Sequence, residues 1–131
     1  MQAIKSKGSK IELTLGKALW AKGLRYRKND SSIFGKPDFT FKKYKIAIFC
    51  DSEFWHGKNW VQKKHEHKTN VAFWHNKIER NIARDIEVNS QLKSEGWTVL
   101  RFWGNEILKN LDFCVTTIEA HINEQKQNYN I

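Results

Sequence analysis

The sequence is short of cysteine, of acid and of long apolar runs, and each shortage narrows what the chain can be. Its two cysteines, Cys50 and Cys114, stand far apart with no CxxC or other ligand-like spacing. One bridge would exhaust them, so a disulfide-built scaffold is excluded and two free thiols in a reducing compartment are expected. No apolar run approaches bilayer-spanning length, and the basic start "MQAIKSKGSK" lacks the apolar core of a signal peptide. The expected location is therefore the cytoplasm, with no membrane partner. A single proline and the lack of any repeat or low-complexity tract leave nothing that marks a linker. The 131 residues are enough for one domain with a sizeable core.

Acid is the scarcest charge. Fourteen Asp and Glu face 23 Lys and Arg, a formal charge of +9. The surplus suits a polyanion such as DNA or RNA, because each neutralised phosphate releases counterions. An acidic protein or an anionic surface would also suit it, so charge alone does not decide.

What is present reads as alternating elements. "IELTLGKALWAKG" fits a helix, with Ile11, Leu15, Ala18 and Leu19 on one face and Gly23 as its stop. "LRYR" (24–27) is a short strand, and "DFTF" and "KIAIFC" form a hairpin through the polar turn at Lys42 to Lys45. "GKNWVQKKHEHKTN" (57–70) reads as a long exposed loop. A helix follows from Val71 to about Glu95, with Trp74, Ile78, Ile82, Ile86 and Leu92 near one face. "WTVLRFW" (97–103) is a buried-type strand, and 105–122 a last amphipathic helix. The expected fold is α/β: a small mixed sheet flanked by helices over residues 1–122, with 123–131 a frayed tail.

The few acids are oddly placed. In "PDFTFKKYKIAIFCDSEFWHG" (37–57), Asp38, Asp51 and Glu53 sit at the ends of apolar strands, where an unpaired carboxylate loses its hydration. Alternation points Asp51 and Glu53 the same way, and the hairpin brings Asp38 beside them. Mutually repelling carboxylates need a counter-charge, and a hard divalent cation such as Mg²⁺ supplies one. In a basic protein such an ion would act on a phosphodiester. Glu12 lies near the apolar face of its helix, and His56 follows the strand end with a pKa near neutrality. Asn81 and Asp85 share a helix face, beside a basic stripe of Lys77, Arg80 and Arg84. Aromatic pairs, Phe54–Trp55 and Phe73–Trp74, flank the loop and suit wedging between bases. Taken singly, Asp38 also fits a turn, Asp51 and Glu53 surface ion pairs, and His56 a loop histidine.

Seven segments in order, "IKSKGSKIE", "GLRYRKND", "GKPDFTF", "AIFCDSEFWHG", "KTN", "FWHNKIERNIARD" and "GWTVLRFW", resemble the very-short-patch-repair mismatch endonucleases, of the restriction-endonuclease-like PD-(D/E)XK fold. The resemblance implies nicking of one strand of double-stranded DNA beside a thymine–guanine mismatch, with Mg²⁺, by a chain expected to be monomeric. It assigns the metal to Asp38 and the backbone carbonyl of Cys50, and places Asp51 near the phosphate. It makes His56 the catalytic histidine, Glu12 its partner and Asp85 a supporting acid. Phe54, Trp55 and Trp74 fall on the aromatics that enter the duplex. The family's structural zinc ligands are replaced here by Glu53, Gly57, Lys58 and Asn105, which implies no zinc and makes Glu53 a further candidate metal ligand. Two rivals remain at this point: a DNA-binding module without catalysis, and a nuclease of the same fold with another DNA specificity.

Overall fold

A computed structural model of the chain describes residues 2–53 and 71–129. Helix α1 (Gln2–Ala21) leads through a turn to the two-residue strand β1 (Arg27–Lys28). Strand β2 (Phe39–Phe41) and strand β3 (Ile46–Asp51) form the expected hairpin around a 3-10 turn, Lys42–Tyr44. Helix α2 (Val71–Ser94) crosses to strand β4 (Thr98–Trp103), and helices α3 (Gly104–Lys109) and α4 (Leu111–Tyr129) follow. Among the described residues the sheet runs β1-β2-β3-β4, antiparallel except for the parallel β3–β4 pair that the α2 crossover makes necessary.

Strand alternation sorts the core into two layers. Ile46 and Ile48 face one side with Phe39, Phe41 and Phe102, packed on Ile11, Leu15 and Leu19 of α1 and on Val115, Ile118 and Ile122 of α4. Ala47 and Phe49 face the other side, against Val88 and Leu92 of α2. Each side chain of this kind that is fully withdrawn from water contributes about 1.5–3 kcal/mol.

Several expectations needed adjustment. Helix α1 begins nine residues earlier than the apolar pattern predicts, because Gly8 and the neighbouring serines and lysines carry no such pattern. The last helix is two helices, broken at Asn110, and α4 continues to Tyr129 over most of the stretch expected to fray. On α2 the buried face runs through Ile78, Asn81, Asp85, Val88 and Leu92, whereas Ile86 is 63% exposed. Steps of four from Ile78 drift around the helix; mixed steps of three and four stay on the sheet side. That rotation aims Asn81 and Asp85 at the ends of β2 and β3.

Candidate active site

Asp38 precedes β2, whose antiparallel register with β3 (Phe39 opposite Ile48) sets its carboxylate beside the far end of β3. There Asp38 Oδ2 accepts the Cys50 backbone N–H at 2.7 Å. The approach to Asp38 is unusual backbone: Gly35 and Lys36 both lie at positive φ, +80° and +50°. Only glycine tolerates this freely, and at Gly35 it also allows the chain to press against Val88 of α2. The Gly-Lys-Pro-Asp segment is thus held between β3 and α2.

A cleft of about 300 Å³ opens at this point, and Asp38, Cys50, Asp51, Asn81, Arg84 and Asp85 are among its lining residues, together with Lys36 and Arg101. Six residues singled out from sequence therefore meet at one place. Asp51 is buried and Asp85 half-buried. Arg101 Nη1 lies 3.1 Å from both Asp51 oxygens and 3.4 Å from Asp85 Oδ1. Sequence reasoning missed Arg101. Its signal was available: it is the lone charge inside the apolar strand "WTVLRFW", on the same face as Val99 and therefore directed at α2.

Glu53 does not join this cluster. Strand β3 ends at Asp51, so alternation stops and the chain turns away; Glu53 Oε2 instead accepts the Asn105 backbone N–H at 2.7 Å, at the start of α3. The expected common direction of Asp51 and Glu53 is corrected accordingly. Glu53 and Asn105, two positions where the resemblance implied zinc ligands elsewhere, here touch through this hydrogen bond.

Glu12 lines a separate hollow of about 330 Å³ with Lys17, Trp20, Tyr26 and Lys28. Burial raises its carboxyl above the usual range, against the opposing pull of Lys28. It is still electrically close to the cleft. Burial pushes the Cys50 thiol far up, and the charges of Asp38, Glu12 and Asp51 push it the same way. A thiol so disfavoured as thiolate is no nucleophile.

Lys77, Arg80, Asn81 and Arg84 line an open groove of about 740 Å³ along α2, and Arg84 borders both this groove and the Asp38 cleft. The stripe fits a phosphate backbone passing the cleft. Replacing Lys77, Arg80 and Arg84 together by Ala is expected to weaken DNA binding at low salt. The slope of log affinity against log salt should flatten by about 2–3, roughly 0.9 for each phosphate no longer neutralised. A salt titration by fluorescence anisotropy checks this; an unchanged slope would remove the stripe from the interface. His56, Phe54 and Trp55 lie outside the described residues, as do residues 57–70, expected from sequence to form a loop. Trp74 lies on α2, and its side chain is likewise outside them.

Among the described residues, no three His, Cys, Asp or Glu side chains are grouped to hold a metal. A hard cation that keeps several of its waters needs only one or two carboxylates. The Asp38 carboxylate, fixed by the Cys50 N–H at the end of β3, fits that requirement. No helix among the described residues is long and apolar enough to cross a membrane.

Comparison with known proteins identifies the family. A family model described as DNA mismatch endonuclease Vsr matches residues 1–62. A type II nicking enzyme of Neisseria meningitidis serogroup C is 60% identical over 96% of this chain and 85% of its own. Another from Haemophilus parainfluenzae is 56% identical over 92% of this chain and 86% of its own. The DNA mismatch endonuclease Vsr of Escherichia coli K12 is 37% identical over 79% of this chain and 65% of its own. With the Asp38 cleft, the basic groove and these relatives taken together, the chain belongs to the Vsr family of DNA endonucleases.

Proposed function

We propose that this DNA endonuclease nicks one strand of a duplex beside a thymine–guanine mismatch, using Mg²⁺ held by Asp38 and the Cys50 carbonyl. The observation that carries the reading is the Asp38 carboxylate, fixed by the Cys50 amide in a cleft that Arg84 shares with the basic groove. When bound there, the cation would neutralise a non-bridging phosphate oxygen and lower the pKa of a water. Asp38 orients the ion's site, and Arg84 and Lys36 draw the phosphate to it. Glu12, whose proton affinity burial has raised, suits proton handling with His56, which is assigned by its place in the sequence. Asp51 and Asp85 support from the wall of the cleft. Phe54, Trp55 and Trp74 are assigned to the opened base step, and the enzyme to the cytoplasm as a monomer. Two relatives named as nicking enzymes, 60% and 56% identical, support cutting of one strand rather than two.

The test uses labelled duplexes that differ only in a central T:G or T:A pair. With Mg²⁺, one strand of the T:G duplex is expected to be nicked about a hundredfold faster than the matched one. Chelation should stop the reaction. Equal rates on the two duplexes would contradict mismatch selectivity and leave a nuclease of other specificity. No nicking of either would return the rival reading of a binder without catalysis.

A further inference from the structure

Arg101 is tied to several parts of the site at once. Its Nη1 lies 3.1 Å from each oxygen of Asp51, at the end of β3, and 3.4 Å from Asp85 Oδ1 on α2. Its Nε donates to Asn89 Oδ1, also on α2, at 2.7 Å. The guanidinium carbon stacks 4.0 Å above the Phe49 ring. One side chain from β4 thus joins β3 to α2 at the floor of the cleft. The join is largely dry: the side chains of Arg101, Asp51 and Asp85 are 17%, 7% and 21% exposed.

Three carboxylates line this small cleft, and a divalent cation entering it could be captured by any of them. The guanidinium meets both acids through the single nitrogen Nη1, so its positive charge sits between them and opposes a second cation there. Parallel pairing sets Arg101 opposite Phe49, with Asp51 opposite Trp103, one pleat away on the same face. From there the side chain reaches Asp51 and the inward face of α2 together. Asp38, just before β2, accepts the Cys50 backbone amide at the same strand end.

We infer that Arg101 is a positioning residue for strand cleavage: by occupying Asp51 and Asp85 it reserves the divalent cation for Asp38, and it locks the phosphate-binding helix α2 to the strand end that bears the metal site. This rests on the reading of Asp38 as the metal-holding carboxylate, and the experiment separates the two. Manganese serves as the probe, its binding to folded protein followed by electron paramagnetic resonance. Single-turnover nicking is measured on the same preparations.

Wild type is expected to bind Mn²⁺ at a site that Asp38→Asn removes. Arg101→Met takes a positive charge away from two carboxylates of the cleft, so Mn²⁺ should bind about tenfold more tightly or at an added site. Nicking at saturating Mn²⁺ should nevertheless fall by about a hundredfold, with a smaller change in the DNA concentration needed for half-saturation. A residue of purely structural use would not tighten metal binding while slowing the reaction. Arg101→Lys keeps the charge without the fork. It should retain wild-type Mn²⁺ affinity, lose about tenfold in rate and so answer the question even where Arg101→Met fails to fold.

If Asp38→Asn binds Mn²⁺ like wild type, the metal assignment falls whatever Arg101 does. If Asp38→Asn loses the ion while the folded Arg101 variants match wild type in affinity and rate, the Arg101 inference alone is overturned.

Discussion

Asp38→Asn is expected to lower single-turnover nicking by about a thousandfold, close to 4 kcal/mol of transition-state stabilisation, while the protein stays folded. The substitution is chosen for what it keeps. An Asn side-chain oxygen can still accept the Cys50 N–H that Asp38 Oδ2 accepts at 2.7 Å, so the junction of β2 with β3 survives. What it removes is the negative charge, and with it the pull on a hard cation. The circular dichroism spectrum and melting temperature should stay near wild type, and DNA affinity measured without metal should change little. A variant that nicks within about threefold of wild type would show that the charge of Asp38 is not used.

Gly35→Ala is expected to destabilise the protein by about 2–4 kcal/mol, the sum of left-handed backbone strain and overpacking. The Gly35 φ is +80°, and a Cβ there would stand 2.5 Å from Cγ1 of Val88, a buried side chain of α2. Gly23 makes the control. It has nearly the same φ, +81°, but nothing within 4 Å of the added atom, so Gly23→Ala should cost only the strain, about 1–2 kcal/mol. Thermal melts of the two variants side by side separate backbone strain from packing. Melting points lowered equally would mean that the Gly35–Val88 approach is not tight. Because Gly35 leads through Lys36 and Pro37 into Asp38, its variant should also lose nicking activity at temperatures where most of it is still folded.

The parts of the fold that sequence revealed are those where one physical pattern dominates. The hairpin from β2 to β3 has a polar turn between two short apolar runs, and the structure gives it within a residue at each end. Helix α2 is bounded by its periodicity and by Gly96, which lies at φ +88° just past its end. The elements that differed lack such a pattern. The first half of α1 has no apolar stripe to announce it. Asn110 interrupts the last helical region without proline or glycine, at a residue whose N–H still bonds Glu106 O while its backbone leaves the helix.

The site divides along a similar line. Asp38, Asp51 and Asp85 stand out because acids at strand ends and on an inward helix face demand an explanation in a basic chain. Their partner does not stand out. A cation is the counter-charge that three converging carboxylates suggest, yet for Asp51 and Asp85 it is Arg101, fifty residues from Asp51 in sequence. Only the parallel register of β3 with β4 brings Arg101 to them, and that register is not written in local periodicity. Glu53 shows the converse. Alternation predicts direction only while a strand lasts, and β3 ends two residues before it.

Locating the bound metal tests the central claim most directly. In crystals soaked with Mn²⁺, an anomalous difference map is expected to show a peak in coordination range of an Asp38 oxygen and the Cys50 carbonyl, about 2.0–2.3 Å away, with the Arg101 pairs to Asp51 and Asp85 intact. A peak bonded to Asp51 or Asp85 in place of Arg101, or one remote from Asp38, would contradict the account.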